Sequence, residues 1–254
     1  MLLKNVKPNF MNKQIVKEIP RTNVWLMFDR IAHRYDLLNR LLSFRQDVAW
    51  RNKLARFLPA GKALSVLDVA TGTGDVLISL HNKSGRIKKA IGVDMSEKML
   101  EAGREKISRL NLDSVISLQT GNATDLKFAD ETFDVATISF GIRNVDDVDK
   151  ALTGMYRILK PGGRALILEF SLPKSALLKT LYLFYFRKIL PKIGGLISGD
   201  SYAYGYLNQT VEEFPYGLAF AGIMKKNGFQ NVRFNPLTFG IATIYQGDKQ
   251  ESRK

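Results

Sequence analysis

From Leu64 onward the chain alternates short apolar runs with amphipathic stretches, and this alternation limits the fold more than any other feature. Strands are predicted at Ser65–Ala70, Ala90–Asp94, Ile116–Thr120, Phe133–Ser139, Arg164–Phe170, Asn231–Asn235 and Ile241–Gln246. Helices fall between most of them. Ser96 is placed to cap one helix with Met99, Ala102, Lys106/Ile107 and Leu110 inward, and Val148, Leu152, Met155 and Leu159 form the apolar stripe of another. Short apolar strands alternating with amphipathic helices imply an α/β architecture, a mostly parallel seven-stranded sheet covered by helices on both faces. Upstream, Val24, Phe28, Ile31 and Tyr35, then Leu38, Leu41 and Leu42, recur at helical spacing until Pro59-Ala60-Gly61 breaks the pattern, so an N-terminal helical cap is expected. The 254 residues are read as one domain. Residues 1–62 form the cap, 63–170 the ligand-binding core, 171–230 a substrate- or membrane-facing insertion, and 231–254 the final strands and a polar tail.

Ligands in doubly wound, Rossmann-like sheets bind beyond the carboxyl ends of the strands, and the motifs lie there. Asp68-Val69-Ala70-Thr71-Gly72-Thr73-Gly74-Asp75 follows the first strand and opens a helix, so Gly72 and Gly74 let the backbone turn close to a ligand. Asp94, followed by Met95, ends the next strand 20 residues after Gly74, where a carboxylate accepts ribose hydroxyls. A dinucleotide and S-adenosyl-L-methionine both suit such a pair. The dinucleotide fingerprint wants a third glycine where Leu77 stands, and the carboxylates of Asp68 and Asp75 would repel a pyrophosphate while suiting a sulfonium and an ammonium. Asn122 and Ala123 follow the third strand, where an amide reads an adenine edge, and Ser139 opens Ser139-Phe140-Gly141-Ile142-Arg143-Asn144-Val145 after the fourth. Each segment also has a plainer reading, as a tight turn, a polar loop or a helix start.

Composition removes several classes. There is no Cys, and His33 and His81 are the only histidines, so no metal site is expected. The formal charge of +14 calls for an anionic partner. The amino end carries no apolar run of signal-peptide length, and Lys179, Arg187 and Lys188 interrupt the most apolar stretch, Ala176–Leu190. A cytoplasmic protein is expected. Between Glu169 and Asp200 there is no acidic residue, while Lys174, Lys179, Arg187, Lys188 and Lys192 alternate with leucines and aromatic residues. Such a helix suits peripheral attachment at the inner face of the cytoplasmic membrane, and equally a cap over the sheet or a homodimer contact.

The chain resembles the ubiquinone/menaquinone biosynthesis C-methyltransferases, a branch of the class I S-adenosylmethionine-dependent methyltransferases. The resemblance rests on Tyr35-Asp36-Leu37-Leu38-Asn39, Ser43-Phe44 and Trp50, on the glycine turn with Asp94, and on Ser139–Val145. The most specific part is Arg157-Ile158-Leu159-Lys160-Pro161-Gly162-Gly163-Arg164 running into Leu168-Glu169-Phe170-Ser171, supported by Tyr204-Gly205-Tyr206-Leu207, Phe214-Pro215 and Gly240-Ile241-Ala242. It implies S-adenosyl-L-methionine as cofactor, with Thr73, Asp94, Asn122, Ala123 and Ser139 on cofactor positions. The substrate it implies is a prenylated quinol methylated on a ring carbon: demethylmenaquinol, with 2-polyprenyl-6-methoxy-1,4-benzoquinol as the alternative. For that chemistry Arg143 suits stabilisation of a phenolate, and Tyr35, Asn144 and His33 are the other polar candidates; the base stays unassigned. The chain departs from the family pattern at Arg45-Gln46-Asp47-Val48-Ala49, where Gly or Gln and then His and a basic residue are usual. Two other readings stand beside this one. A nucleic-acid-binding protein would use the positive charge but lacks a recognised module, so no nucleic-acid partner is expected, and a nicotinamide-dependent oxidoreductase is disfavoured by Leu77 and the paired acids.

Overall fold

The computed structural model describes residues 23–192 and 201–251. The extreme amino end, Gly194-Gly195 and the last three residues of the basic tail lie outside them, as does the side chain of Tyr204. Seven strands, β1 (Leu64–Val69), β2 (Ile87–Asp94), β3 (Ile116–Thr120), β4 (Phe133–Ser139), β5 (Leu159–Phe170), β6 (Gln230–Leu237) and β7 (Ala242–Asp248), form one sheet in the order β3-β2-β1-β4-β5-β7-β6. The pairs among β1 to β5 are parallel, and β7 runs antiparallel to both of its neighbours. The helices are α1 (Val24–Leu42), α2 (Gln46–Leu54), α3 (Asp75–Ser84), α4 (Glu97–Arg109), α5 (Val148–Ile158), α6 (Ala176–Phe184), α7 (Ser201–Glu213) and α8 (Leu218–Lys226).

Alternation along β1 explains the two-layered core. Leu67 and Val69 face α5 and α8, where they join Leu152, Met155, Phe220 and Met224. Leu64 and Val66 face the other way, toward Leu54 of α2, Leu77 and Leu80 of α3 and Leu100 of α4. Both faces of the strand are therefore buried, which is why β1 reads as a nearly continuous apolar run. Ser96 caps α4 by accepting the Met99 N–H at 3.3 Å, and Asp147 caps α5 by accepting that of Lys150 at 2.8 Å.

Several details differ from the sequence reading. Leu110 is exposed because α4 ends at Arg109, and the helix buries Met99, Leu100, Gly103 and Ile107 instead. Leu159 begins β5 rather than closing α5. That strand starts five residues before the predicted Arg164, because the Lys160-Pro161-Gly162-Gly163 turn is tied to the residue after β7: Gly162 N–H donates to the Lys249 carbonyl at 3.1 Å and Lys249 N–H to that of Gly163 at 2.8 Å. Leu41, on the apolar stripe predicted for α1, is exposed.

Candidate active site

β1 lies between β2 and β4, so the chain leaves it toward one edge and later returns on the other side. A crevice opens at this switch point, and here it is a cavity of about 280 Å³. Its floor is made of turns that follow β1 to β4. Ala70 and Phe140, the residues just after β1 and β4, both hold left-handed backbone (φ 51° and 56°), and both line the cavity. Non-glycine residues in this region are uncommon, and the strain collects at binding sites. Gly141 must lack a side chain, since a Cβ there would lie 2.7 Å from that of Ala70.

Asp94 sits on the cavity wall, where its carboxylate accepts the Gly72 N–H at 2.8 Å and the Ser96 N–H at 2.9 Å. Burial pushes its pKa up against the pull of these donors. Gly72, Met95, Asn122, Ala123 and Ser139 also line the cavity. The Asn122 carbonyl oxygen is used internally by the Thr124 N–H (2.9 Å) and hydroxyl (3.0 Å), which leaves its amide NH₂ to meet a ligand. Ser139 Oγ and Asn144 Oδ1 are buried with no hydrogen-bond partner among the described residues. Two orphaned polar atoms on one cavity wall call for a polar ligand.

Asp68, Thr73, Gly74 and Asp75 stand behind this wall rather than on it. Asp68 is buried, accepts the Thr71 hydroxyl at 2.7 Å and that of Thr137, and its pKa is raised by burial to about 7. Asp75 is neutralised by Lys106 (2.6 Å), Arg40 (3.2 Å) and Arg51 (3.5 Å). Lys106 also donates to Thr73 Oγ1 at 2.9 Å and pairs with Asp36, to which Thr73 donates at 2.8 Å. The turn's acid and threonine thus fasten α1, α3 and α4 together. Neither carboxylate is therefore a free charge set against a pyrophosphate: cations neutralise Asp75, and burial behind the wall holds Asp68 toward its protonated form.

A second cavity of about 90 Å³ adjoins the first, and Phe28, Tyr35 and Phe140 line both. Its walls include Trp50, Phe170 and Arg143, whose guanidinium lies 5.3 Å over the Phe170 ring. Arg143 donates through Nη1 to the Phe140 carbonyl (2.6 Å) and to Glu169 (2.7 Å), while its Nε is buried and unpartnered among the described residues. Burial raises the pKa of Glu169 more than Arg143 lowers it, and burial likewise raises that of Tyr35. Tyr35 lines both cavities, and Asn144 and Arg143 each line one, the larger and the smaller respectively. His33 is exposed and lines neither. Two positions along a helix turn the side chain through about 200°, so a residue two before the inward-facing Tyr35 faces outward.

Glu169, which holds Arg143 from outside both cavities, and the Asp47–Arg51 pair on the wall of the smaller one were missed by sequence reasoning. Asp47 is buried beside the second cavity, accepting Ser43 Oγ at 2.7 Å and Arg51 Nη1 at 2.6 Å. It stands in the stretch where the chain departs from the family pattern, and that departure was the signal. Among the described residues no helix is long and apolar enough to cross a membrane.

The model of the ubiE/COQ5 methyltransferase family matches residues 14–249. A ubiquinone/menaquinone biosynthesis C-methyltransferase of Geotalea daltonii is 48% identical over 226 residues, covering 88% of this chain and 94% of its own. A demethylmenaquinone methyltransferase of Bacteroides fragilis is 42% identical over 224 residues, covering 88% and 91%. Among solved structures, a SAM-dependent methyltransferase of Thermotoga maritima superposes with a TM-score of 0.64 at 22% identity, covering 89% of this chain and 100% of its own, a likeness of fold.

Proposed function

Because the chain belongs to the ubiE/COQ5 methyltransferase family, and is therefore an S-adenosylmethionine-dependent methyltransferase, we propose that it converts demethylmenaquinol to menaquinol by methylating a ring carbon. The observation that carries this reading is the pair of adjoining cavities with Phe28, Tyr35 and Phe140 between them. The larger takes S-adenosyl-L-methionine and the smaller takes the quinol ring.

The residues of the larger cavity fit the cofactor. Asn144 Oδ1 is an acceptor without a donor, and Ser139 Oγ has no partner; an ammonium and a carboxylate meet those needs. Asp94 receives ribose hydroxyls and the Asn122 amide the adenine edge. When bound, the cofactor supplies an electrophilic methyl group. The chain's own part is to align a ring carbon with it and to make that carbon nucleophilic. Alignment of two reactants is worth up to about 7–11 kcal/mol in favourable cases. Loss of the proton from the neighbouring ring hydroxyl supplies the nucleophilicity, and the Arg143 cation, through its unpartnered Nε–H, stabilises the resulting oxyanion. Tyr35 orients the ring edge, while Phe140, Trp50 and Phe170 hold its faces and exclude water.

The benzoquinol of ubiquinone synthesis is the second substrate considered, since the Geotalea relative is named for both pathways. Steady-state rates with short-tailed demethylmenaquinol and the 6-methoxy benzoquinol, each kept reduced, decide between them. A higher kcat/KM for the naphthoquinol is expected. Preference for the benzoquinol would reassign the substrate, and inactivity on both would overturn the reading.

A further inference from the structure

Most of the large apolar side chains left exposed on α1 and α6 fall in rows, with Leu26 and Leu178 outside them. On α1, Leu37, Leu41 and, just past the helix end, Phe44 (75% exposed) follow one another at intervals of four and three. On α6, Leu177 (70% exposed), Leu181 and Phe184 repeat the same intervals. Intervals of four and three put the α6 trio on one helix face, and the interval of four does the same for Leu37 and Leu41, with Phe44 following in the left-handed turn (φ 52°) beyond α1. The two rows meet at Tyr185, whose ring lies 6.1 Å from that of Phe44 and whose hydroxyl donates to the Leu42 carbonyl at 2.8 Å. Leu38, Asn39 and Ser43, interleaved with the first row, line the second cavity. One stretch of chain therefore presents one face to that cavity and the adjoining face to solvent.

Charge selects what covers the rows. Lys174, Lys188 and Lys192 are exposed, and among the described residues they make no ion pair; Arg187, paired with Glu212, is the exception on this segment. No Asp or Glu occurs between Glu169 and Asp200. A second copy would bring the same cations against themselves, and like charges facing each other oppose association. A surface with an apolar interior and negative headgroups satisfies both the rows and the lysines.

We propose that the paired rows on α1 and α6 are a docking face for an anionic lipid bilayer, through which a quinol ring enters the second cavity while its tail stays in the membrane. The proposal rests on the quinol reading above for its substrate, and on the two rows and their lysines for its surface.

The test is co-flotation of the full chain with vesicles of phosphatidylcholine, with and without phosphatidylglycerol. Binding is expected to be at least about tenfold stronger with the anionic lipid and to weaken with added salt. A Leu181→Ser, Phe184→Ser variant and a Lys188→Glu, Lys192→Glu variant should each lose about tenfold in vesicle binding. None of these residues lines either cavity, so methyl transfer to a water-soluble, short-tailed quinol should be unchanged, while transfer to a long-tailed quinol in vesicles falls with binding. Absence of co-flotation, or binding undiminished in both variants, would overturn the proposal. So would a concentration-dependent dimer in sedimentation velocity that the Leu181→Ser, Phe184→Ser change abolishes, which would assign the face to a second copy. Intact vesicle binding without transfer to the soluble quinol would instead defeat the quinol reading and leave the docking face standing.

Discussion

Glu169, at the end of β5, accepts a 2.7 Å hydrogen bond from Arg143 Nη1, and with side-chain exposures of 1% and 6% the pair is sealed from solvent. The guanidinium is thereby anchored by one nitrogen, with a second nitrogen, Nε, left without a partner. Breaking a buried pair by removing one member typically costs about 3–5 kcal/mol, because the other charge is stranded.

Glu169→Gln keeps an acceptor for Arg143 but removes the opposing charge. Thermal stability should fall, and kcat should drop at least about tenfold while cofactor affinity changes little, since Glu169 lines neither cavity. Melting curves and steady-state kinetics on the same preparation check this. An unchanged kcat in the folded variant would show that the pair does not position Arg143 for turnover.

Asp68 makes stability depend on pH in an unusual direction. Its folded pKa of about 7 lies above the ordinary value of 3.8. The native state therefore holds a proton that the unfolded chain has lost. The stability from this group is complete below about pH 4 and disappears as pH rises through about 7. Asp68→Asn should flatten the melting temperature between pH 5 and 8 relative to the parent. Parallel curves for the two proteins would refute the assignment.

Asp94→Asn preserves the side chain's shape on the cavity wall but weakens it as an acceptor for hydroxyls. Affinity for S-adenosylhomocysteine, measured by calorimetric titration, should fall between about tenfold and a hundredfold, with the far-ultraviolet circular dichroism unchanged. Equal affinity in the folded variant would remove Asp94 from the site.

Gly103 sits in mid-helix, where alanine ordinarily stabilises by about 1 kcal/mol. Here the added Cβ would lie 2.5 Å from Leu118 Cδ1 and 3.1 Å from the Thr73 backbone. Gly103→Ala should therefore lower the melting temperature and weaken cofactor binding by pushing α4 off the glycine turn. A higher melting temperature would mean that this close approach is not needed.

Much of this was legible in the residues. β3 and β4 lie where the apolar runs predicted them, because polar turns bound both. The spacing from Gly74 to Asp94 located the larger cavity, since a turn and a strand end on neighbouring strands must meet at one sheet edge. Other features were hidden for physical reasons. Glu169 closes a buried strand, and nothing local marks an acid as paired with an arginine 26 residues earlier. Lys106 read as inward-facing with no partner in view and Asp36 only as part of a motif, yet they meet beneath the turn because α1 crosses α4. His33 and Tyr35 were both polar candidates, but only Tyr35 falls on the stripe of Val24, Phe28 and Ile31, and the rotation of α1 turns His33 outward.

Two adjoining cavities suit passage of a methyl group from the larger to a ring carbon held in the smaller. A single-turnover reaction with S-adenosylmethionine carrying a ¹³C-labelled methyl group and reduced, short-tailed demethylmenaquinol, followed by carbon NMR of the product, tests it directly. The label is expected on a ring carbon, with transfer lost when the ring is supplied as the oxidised quinone. Label on a ring oxygen, or no transfer while the cofactor is bound, would contradict it.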